Sequence, residues 1–222
     1  MIAPVRRALR VLSTALVTAG LVVLADVAIT LAWEEPVSSI YGEIQQRQAA
    51  SELDDLEESF ADELGELRGP ELRQARILAD RLADRMQAGE GIGRVKIPAI
   101  GLDAVLVEGT DEGTLQKGPG HYPETKLPGQ GSTIGIAGHR TTYLAPFRQI
   151  NELEGGDEVI VELPYGELTY AVEKARVVEP TDIQIVRDVN RERLVLTACH
   201  PLYSAAQRYA VFARLAEIEL FG

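Results

Sequence analysis

The side chain of this sequence best suited to covalent chemistry is its single cysteine, Cys199. It follows the short apolar run 194–196 and precedes Pro201, a pattern that predicts a buried strand ending at a loop. A thiol at that point is held by a rigid element yet open to a ligand. In an exported protein, a cysteine with no intramolecular partner indicates a reactive thiol or an intermolecular bond. The alternative is a buried cysteine that acts as a small hydrophobic residue.

A cysteine nucleophile needs a partner that can carry a proton, and the candidates are His121, His139 and His200. His200 is adjacent to Cys199, and successive residues of an extended segment point to opposite faces. We therefore expect His200 to turn away from the sulfur. His139 ends the apolar run 133–137, so two strand ends at one rim would bring it to Cys199. The alternative for His139 is a purely structural role.

Arg208 is the third candidate, because it opens the next predicted strand after the cysteine. Two antiparallel strands joined by the loop 201–207 would place Cys199 and Arg208 side by side. A guanidinium stays charged and offers several N–H donors, which can hold a substrate carbonyl or a developing oxyanion. A solvated surface arginine is the alternative.

The elements that must position these residues are short strands separated by turns, and they fill the chain from Gly91 onward. Helical patterns are confined to short pieces near 111–117 and 146–153. Seven or eight strands with so little helix predict a mainly β domain over residues 91–222, built as a closed or nearly closed barrel. Strands are predicted at 94–98, 102–107, 133–137, 158–163, 168–178, 193–197 and 208–215.

The N-terminal part of the chain has the composition of a membrane helix. Residues 11–33 carry one charge, Asp26, and about 20 apolar residues span the hydrocarbon core of a bilayer. Three arginines precede this run and two glutamates follow it, so residues 1–10 are predicted to be cytoplasmic and the rest extracellular. Trp33 fits an interfacial anchor. A cleaved signal peptide is the alternative, but its apolar core is shorter, so we favour an anchor that stays in the cell membrane.

Residues 34–90 form an acidic segment with 15 acids against 6 bases. One interpretation is a helical stalk that holds the catalytic part away from the bilayer and self-associates with a second copy; the other is an acidic linker with no partner. A second helix should begin after Gly69, with Pro70 at its first position. Its apolar stripe would contain Ile77 or Leu78, then Leu82 and Met86. The part of this segment before Gly69 carries an apolar seam of heptad type, which predicts a first helix. The seam consists of Leu53, Leu56, Phe60, Leu64 and Leu67.

The composition argues against several other functions. The formal net charge of -12 disfavours a nucleic-acid partner, because phosphate binding needs a basic face. One cysteine and three scattered histidines match no zinc spacing, and we predict neither a metal nor a cofactor. Asp157 and Glu158 form an acidic loop that could bind calcium, although surface acids usually only interact with water.

Several blocks of the sequence, in order, resemble the sortases, the membrane-anchored cysteine transpeptidases of Gram-positive surfaces. Sortases carry a histidine near a strand end, a Thr-Leu-x-Thr-Cys segment and an arginine on the following strand, and these fall on His139, on 195–199 and on Arg208. Val195 and Ala198 replace the two threonines of that segment, and Ala198 removes a hydroxyl next to the nucleophile. The blocks most similar to the class E enzymes of actinobacteria are 120–123, 137–143, 145–148, 199–201 and 206–209.

The resemblance implies an eight-stranded sortase barrel that cleaves a C-terminal sorting signal on surface proteins. Class E enzymes are associated with Leu-Ala-x-Thr-Gly rather than Leu-Pro-x-Thr-Gly signals. The thiolate of Cys199 would form a thioester at threonine, His139 as imidazolium would protonate the leaving amine, and Arg208 would stabilise the oxyanion. A cell-wall peptide amine would then receive the protein. The same resemblance assigns signal binding to Tyr122, Tyr143, Thr197, Ala198 and His200.

Other functions remain open from the sequence. A tethered cysteine hydrolase would use water as acceptor, and a non-catalytic assembly module would work through the acidic segment. Pilus-polymerising class C sortases usually carry an aromatic lid before the barrel and a C-terminal membrane helix. Residues 88–93 show no such lid and the chain ends just after the last strand, so we expect wall anchoring.

Overall fold

Three helices precede a β-barrel in the computed structural model, which describes residues 3–32, 36–64 and 67–221. A fourth, short helix and three single 3-10 turns (98–100, 150–152 and 183–186) lie between the barrel strands. The helices are α1 (Ala3–Ala32), α2 (Pro36–Leu64), α3 (Glu71–Ala83) and α4 (Glu112–Leu115). The strands are β1 (Gly91–Ile97), β2 (Leu102–Glu108), β3 (Gly120–His121), β4 (Thr133–Gly138), β5 (Glu158–Leu163), β6 (Gly166–Val178), β7 (Arg193–His200) and β8 (Gln207–Leu220).

The eight strands form a closed barrel in the order β1-β2-β3-β4-β7-β8-β6-β5, which confirms the predicted mainly β fold. Strand β3 was not predicted, because two residues carry no periodicity and their segment has the composition of a loop. It closes the gap between β2 and β4. Glycine is required at its start, since a Cβ on Gly120 would lie 2.1 Å from the carbonyl oxygen of Gly109.

The two faces of β7 have different surroundings, and this decides where the cysteine points. Leu194, Leu196 and Ala198 belong to the main core inside the barrel. Val195 lies on the opposite, outer face, in a small cluster with Ile185 from the β6–β7 connection. Because side chains alternate along a strand, Cys199 shares the outer face with Val195. The strand runs three residues beyond its predicted end at Thr197 and ends before Pro201.

Residues 36–64 and 71–83 are helical, and these helices, α2 and α3, pack on the barrel, a contact that neither interpretation of residues 34–90 included. Leu53 is buried against Val105 and Val107 of β2, and Phe60, with no exposed surface, joins the main core. The heptad-type seam is therefore covered by the chain's own barrel and not by a second copy. Helix α3 begins at Glu71, with Pro70 as its N-cap, and Leu78 rather than Ile77 is buried beside Leu82.

Polar contacts also fix α2 on the barrel. The Val105 backbone N–H donates to the side-chain oxygen of Gln46 at 2.8 Å, and the Gln46 amide donates to the Val105 carbonyl at 3.2 Å. The approach is so close that a Cβ on Gly91 would lie 2.2 Å from the Ala49 carbonyl oxygen. Helix α2 is thus part of the body that carries the barrel.

Helix α1 exposes its apolar side chains instead. Residues Arg6–Ala28 have a mean hydropathy of 2.1 and are long and apolar enough to cross a membrane. This is compatible with the predicted anchor, although a signal sequence near an N-terminus passes the same test. Trp33, Glu34 and Glu35, which entered the prediction of the anchor and its orientation, lie outside the described residues.

Candidate active site

The strand register brings His139, Cys199 and Arg208 to neighbouring positions at one rim of the barrel. Gly138 of β4 pairs with Ala198 of the parallel strand β7, and His139 and Cys199 are the next residues on each strand. Cys199 in turn pairs with Arg208 across the antiparallel strands β7 and β8. Paired residues of adjacent strands point to the same face, so all three belong to the outer face. The loop length had predicted the pairing of the cysteine with the arginine.

Cys199 is a free, half-buried thiol whose backbone is held by a buried arginine. Arg140, only 4 % exposed, donates one N–H to the Cys199 carbonyl at 3.3 Å and another to the Arg148 carbonyl at 3.2 Å. Its guanidinium also bonds the side chain of Asn151. Burial lowers the pKa of Arg140 from its ordinary value. This role has no local sequence signal, since an arginine at a strand end is usually solvated.

His139 is half-buried beside an aromatic ring. The centroids of the His139 and Tyr143 rings are 5.4 Å apart and the rings are tilted by 42°. Burial lowers the pKa of His139, while the carboxylate of Glu112 acts in the opposite direction. The Nε2 atom is buried and has no hydrogen-bond partner within the described residues. Burial therefore favours the neutral form of the imidazole, whereas the resemblance implied an imidazolium that protonates the leaving amine.

Arg208 turns part of its guanidinium toward its own loop. One N–H group donates to the carbonyl oxygens of Ala205 and Gln207, each at 3.0 Å. In the part of the chain that the structure describes, no carboxylate lies within ion-pair distance of it. The positive charge beside Cys199 is therefore not neutralised by a neighbouring acid.

Tyr122 borders the same face from the segment after β3. Its hydroxyl lies 2.8 Å from that of Thr197, which is 2 % exposed. Gly135 makes this position possible, because a Cβ there would lie 2.7 Å from the tyrosine ring. Next to the ring is a pocket of about 560 Å3. Its lining includes Tyr122, Thr125, Ile183, Gln184, Val186 and Arg187.

Ala198 and His200 lie away from this face. Ala198 is 3 % exposed and packs in the barrel core, so the hydroxyl lost at this position would point into the core. The His200 ring lies 5.7 Å from that of Tyr209, and its Nδ1 accepts from Arg140 at 3.3 Å. The His200 side chain thus contacts Tyr209 and Arg140, and its direction away from the sulfur stays a prediction. His121 is buried elsewhere, with its Nδ1 2.7 Å from a carboxylate oxygen of Glu108.

Metal ligands are not grouped in this part of the fold. Within the ranges 3–32, 36–64 and 67–221, no three histidine, cysteine or acidic side chains are arranged to hold a metal ion. Asp157 instead bonds its own turn, where its side chain accepts from the Glu154 backbone N–H at 2.8 Å.

Comparison with known proteins gives consistent results. The family model of the sortase domain matches residues 95–216. Sortase D of Bacillus subtilis is 36 % identical over 132 residues, which are 58 % of this chain and 65 % of the relative. Sortase SrtE1 of Streptomyces coelicolor is 26 % identical over 224 residues, which are 94 % of this chain and 57 % of the relative. The chain thus spans about two thirds or less of these relatives' length.

Solved structures match the barrel more completely. Sortase E1 of Streptomyces coelicolor, determined with a tripeptide in its active site, has a TM-score of 0.57 and 28 % identity. Sortase E of Streptomyces avermitilis has a TM-score of 0.56 and 31 % identity. In both cases the match covers 60 % of this chain and 93 % of the solved one. On the family-model match and this shared barrel, the chain belongs to the sortase family.

Proposed function

We propose that this chain is a membrane-anchored cysteine transpeptidase of the class E type, which attaches surface proteins to the cell wall. The observation that carries the proposal is the register of β4, β7 and β8. It supports the proposal because Cys199 pairs with Arg208, and His139 directly follows Gly138, the strand partner of Ala198. The similarity to sortase E1 and sortase E supports the class, although sortase D is the more identical relative over the barrel.

The proposed reaction begins with a neutral His139, because burial lowers its pKa. The imidazole takes the proton of the Cys199 thiol, and the thiolate attacks the carbonyl carbon between threonine and glycine of a Leu-Ala-x-Thr-Gly or Leu-Pro-x-Thr-Gly signal. The new imidazolium then protonates the departing glycine nitrogen, which leaves an acyl-enzyme thioester. Arg208 stabilises the oxyanion of each tetrahedral intermediate.

An amine of a cell-wall peptide completes the reaction. His139 accepts its proton as the nitrogen attacks the thioester, and the imidazolium then returns that proton to the departing Cys199 sulfur, which restores the thiol. The product is a surface protein joined to the wall by an amide bond. This acceptor lies outside the membrane, so the proposal places residues 1–10 in the cytoplasm and the barrel on the extracellular side.

Tyr122 is proposed to read the second residue of the signal. Its hydroxyl is paired with that of Thr197, and each of the two hydroxyls can still make one further hydrogen bond. An alanine in the signal keeps its backbone N–H for such a contact, whereas proline has none. The loss of one buried hydrogen bond corresponds to about 1–3 kcal/mol. The kcat/KM for the alanine peptide divided by that for the proline peptide should therefore be smaller in Tyr122→Phe than in the unaltered chain. An unchanged ratio would assign the preference to other residues.

The test of the proposed function uses the full chain in detergent micelles, a peptide carrying either signal, and triglycine as the amine. We expect cleavage after threonine, a ligated product, and a thioester on Cys199 that mass spectrometry detects. Cys199→Ala should abolish both products, and His139→Ala and Arg208→Ala should each reduce the rate about a hundredfold or more. Ligation by Cys199→Ala above the enzyme-free control would refute the mechanism.

The same assay separates the alternatives that the sequence left open. A hydrolase would release the cleaved peptide without a ligated product at any triglycine concentration. A pilus-type enzyme would ligate a lysine-bearing pilin peptide in preference to a wall stem peptide. A non-catalytic module would cleave neither signal.

A further inference from the structure

The loop beside His139 contains a rare backbone conformation. Tyr143, Leu144 and Ala145 have φ angles of 51°, 65° and 42°, so three consecutive residues with side chains lie in the left-handed region. Such residues visit this region rarely, because their Cβ atoms crowd the backbone. A run of three persists only where the surrounding structure holds it.

Helix α2 supplies part of what holds this loop. A Cβ on Gly42 would lie 3.0 Å from the Leu144 side chain and 3.2 Å from the Tyr143 carbonyl carbon. Helix and loop are thus in contact across a glycine. The preceding residue, Tyr41, places its ring 6.1 Å from that of Tyr143 at 67°, an edge-to-face arrangement favourable for aromatic pairs.

The same loop is joined to His139 at both of its ends. The Tyr143 ring lies 5.4 Å from the imidazole, and the Phe147 backbone N–H donates to the His139 carbonyl at 2.9 Å. Arg140, the residue after His139, is fixed by the Arg148 carbonyl. The rings of Tyr41, Tyr143 and His139 therefore form a continuous series from the surface of α2 to the imidazole.

We infer that Tyr41 and Gly42 of α2 are positioning residues for His139, and that they act by holding Tyr143 against the imidazole. The ring of Tyr143 then fixes the orientation of His139 and keeps water from it. This inference rests on the proposed function only in giving His139 a role in proton transfer. It makes the first turns of α2 part of the catalytic centre, although α2 lies outside the matched sortase domain.

The protonation of His139 reports on this contact directly. The Tyr143 ring packs beside the imidazole, and the carboxylate of Glu112 on α4 is the charged group that acts on it. Burial lowers the pKa of His139 and Glu112 opposes that effect. If the loop loosens, water reaches the imidazole, the penalty on the charged form decreases, and the pKa rises toward its ordinary value.

The experiment compares four variants of the full chain in detergent micelles: Tyr41→Ala, Gly42→Val, Tyr41→Phe and the control Ile44→Ala. Ile44 lies on the same helix, three residues after Tyr41, and is 55 % exposed. The pKa of His139 is measured by NMR titration of isotope-labelled histidines, with the signal assigned from His139→Gln. The kcat and KM values for peptide cleavage are measured in parallel.

Tyr41→Ala and Gly42→Val should raise the pKa of His139 and lower kcat about tenfold to a hundredfold, the scale expected when a catalytic group is misplaced. Because the contact acts through the orientation of His139, kcat should change more than KM. Tyr41→Phe retains the ring and should therefore keep the His139 pKa and the kcat of the unaltered chain. The same is expected of Ile44→Ala. A purely structural role would lower thermal stability in the alanine and valine variants without moving the pKa.

An unchanged His139 pKa in Tyr41→Ala would overturn the inference, and so would a moved pKa with an unchanged kcat. Should Gly42→Val fail to fold by circular dichroism, Tyr41→Ala decides the matter alone. If the unaltered chain cleaved no peptide, the proposed function would fail, while the titration would still test the contact between α2 and His139.

Discussion

The two helices before the barrel show opposite uses of apolar residues. Helix α1 is apolar around its circumference, and side chains such as Leu12 and Leu16 are exposed. Helix α2 is acidic and has only a seam of apolar residues, of which Leu53 and Phe60 are buried by the barrel. An exposed, uniformly apolar helix needs a lipid surrounding. A helix with one buried seam needs only the protein that covers it.

This difference locates the boundary between the exposed apolar helix α1 and the folded body that contains the barrel. The composition changes near Trp33 and again near Gly91, and the sequence predicts that the catalytic domain starts at the second change. The packing of α2 and α3 shows that the folded body starts before Gly91, because both helices contribute to the barrel's core. The boundary expected from physical contacts is therefore the connection between α1 and α2.

Truncation should show the difference between α1 and α2 most strongly, as a change in the stability of the protein. Removal of residues 1–35 takes away only the exposed apolar surface of α1 and no part of the core, so the remaining protein should fold and cleave peptide. Removal of residues 1–90 should abolish cooperative unfolding, because Phe60, Leu78 and Leu82 leave the core and each such side chain stabilises by about 1.5–3 kcal/mol. Urea unfolding followed by circular dichroism measures both. Equal unfolding midpoints of the two truncated proteins would contradict the assignment of α2 and α3 to the folded body.

A single core residue of α2 should reproduce part of that loss. Phe60 has no exposed surface, so Phe60→Ala should lower the free energy of unfolding by about 3–5 kcal/mol through the cavity it leaves. Leu16→Ala on α1 removes apolar surface that touches no core and is the matched control. Its urea midpoint in micelles should stay that of the unaltered chain. A similar, small effect of both substitutions would mean that the α2 seam is not a true core.

Much of the barrel was predictable because its strands obey simple rules. Alternating side chains over 158–163 and 168–178 identified β5 and β6, and a short loop implied the pairing of Cys199 with Arg208. Strand β3 was missed because Gly120 and His121 alone carry no period. The place of α2 was missed for another reason, since a heptad-type seam looks the same whether a helix or a barrel covers it.

The candidate site was predictable only for the residues that carry the chemistry. Cys199, His139 and Arg208 were identified from residue type and strand ends, and the register brings them together. Arg140 was missed because its burial depends on the β4–β5 connection folding over it. Tyr143 was assigned to signal binding by resemblance alone. Its positive φ and its contact with Tyr41 have no local sequence signal, since neither glycine nor asparagine occurs at 143–145.

A smaller effect is expected from the polar contact between α2 and β2. Gln46→Ala leaves the Val105 N–H without its side-chain acceptor, and an unmade hydrogen bond at a partly buried site costs about 1–3 kcal/mol. Gln48→Ala on the exposed side of α2 removes only a surface contact with Glu52 and should change stability by less than about 0.5 kcal/mol. Urea unfolding of both variants decides whether the barrel holds α2 by polar contacts as well as by its seam.

The smallest effect should come from the ion pairs that join α2 to the α3 region. Glu63 bonds Arg81 at 2.6 Å and also bonds Arg85, and the hydrogen bond from Arg85 is the main reason why the pKa of Glu63 is lowered. Because this network is partly exposed, Glu63→Gln should lower the free energy of unfolding by at most about 1 kcal/mol at pH 7.

The stabilisation by Glu63 should depend on pH. A lowered pKa means that, as pH falls, the unfolded chain binds the proton before the folded chain does, so the stabilisation is present above the ordinary glutamate pKa. It is lost as pH falls through the lower pKa of the folded state. The difference between Glu63→Gln and the unaltered chain should therefore shrink below pH 4.5, whereas Glu43→Gln, whose pair with Arg47 is exposed, should show almost no difference at any pH. A Glu63→Gln effect that persisted at low pH would mean that the charge of Glu63 contributes nothing to holding α2 and α3 together.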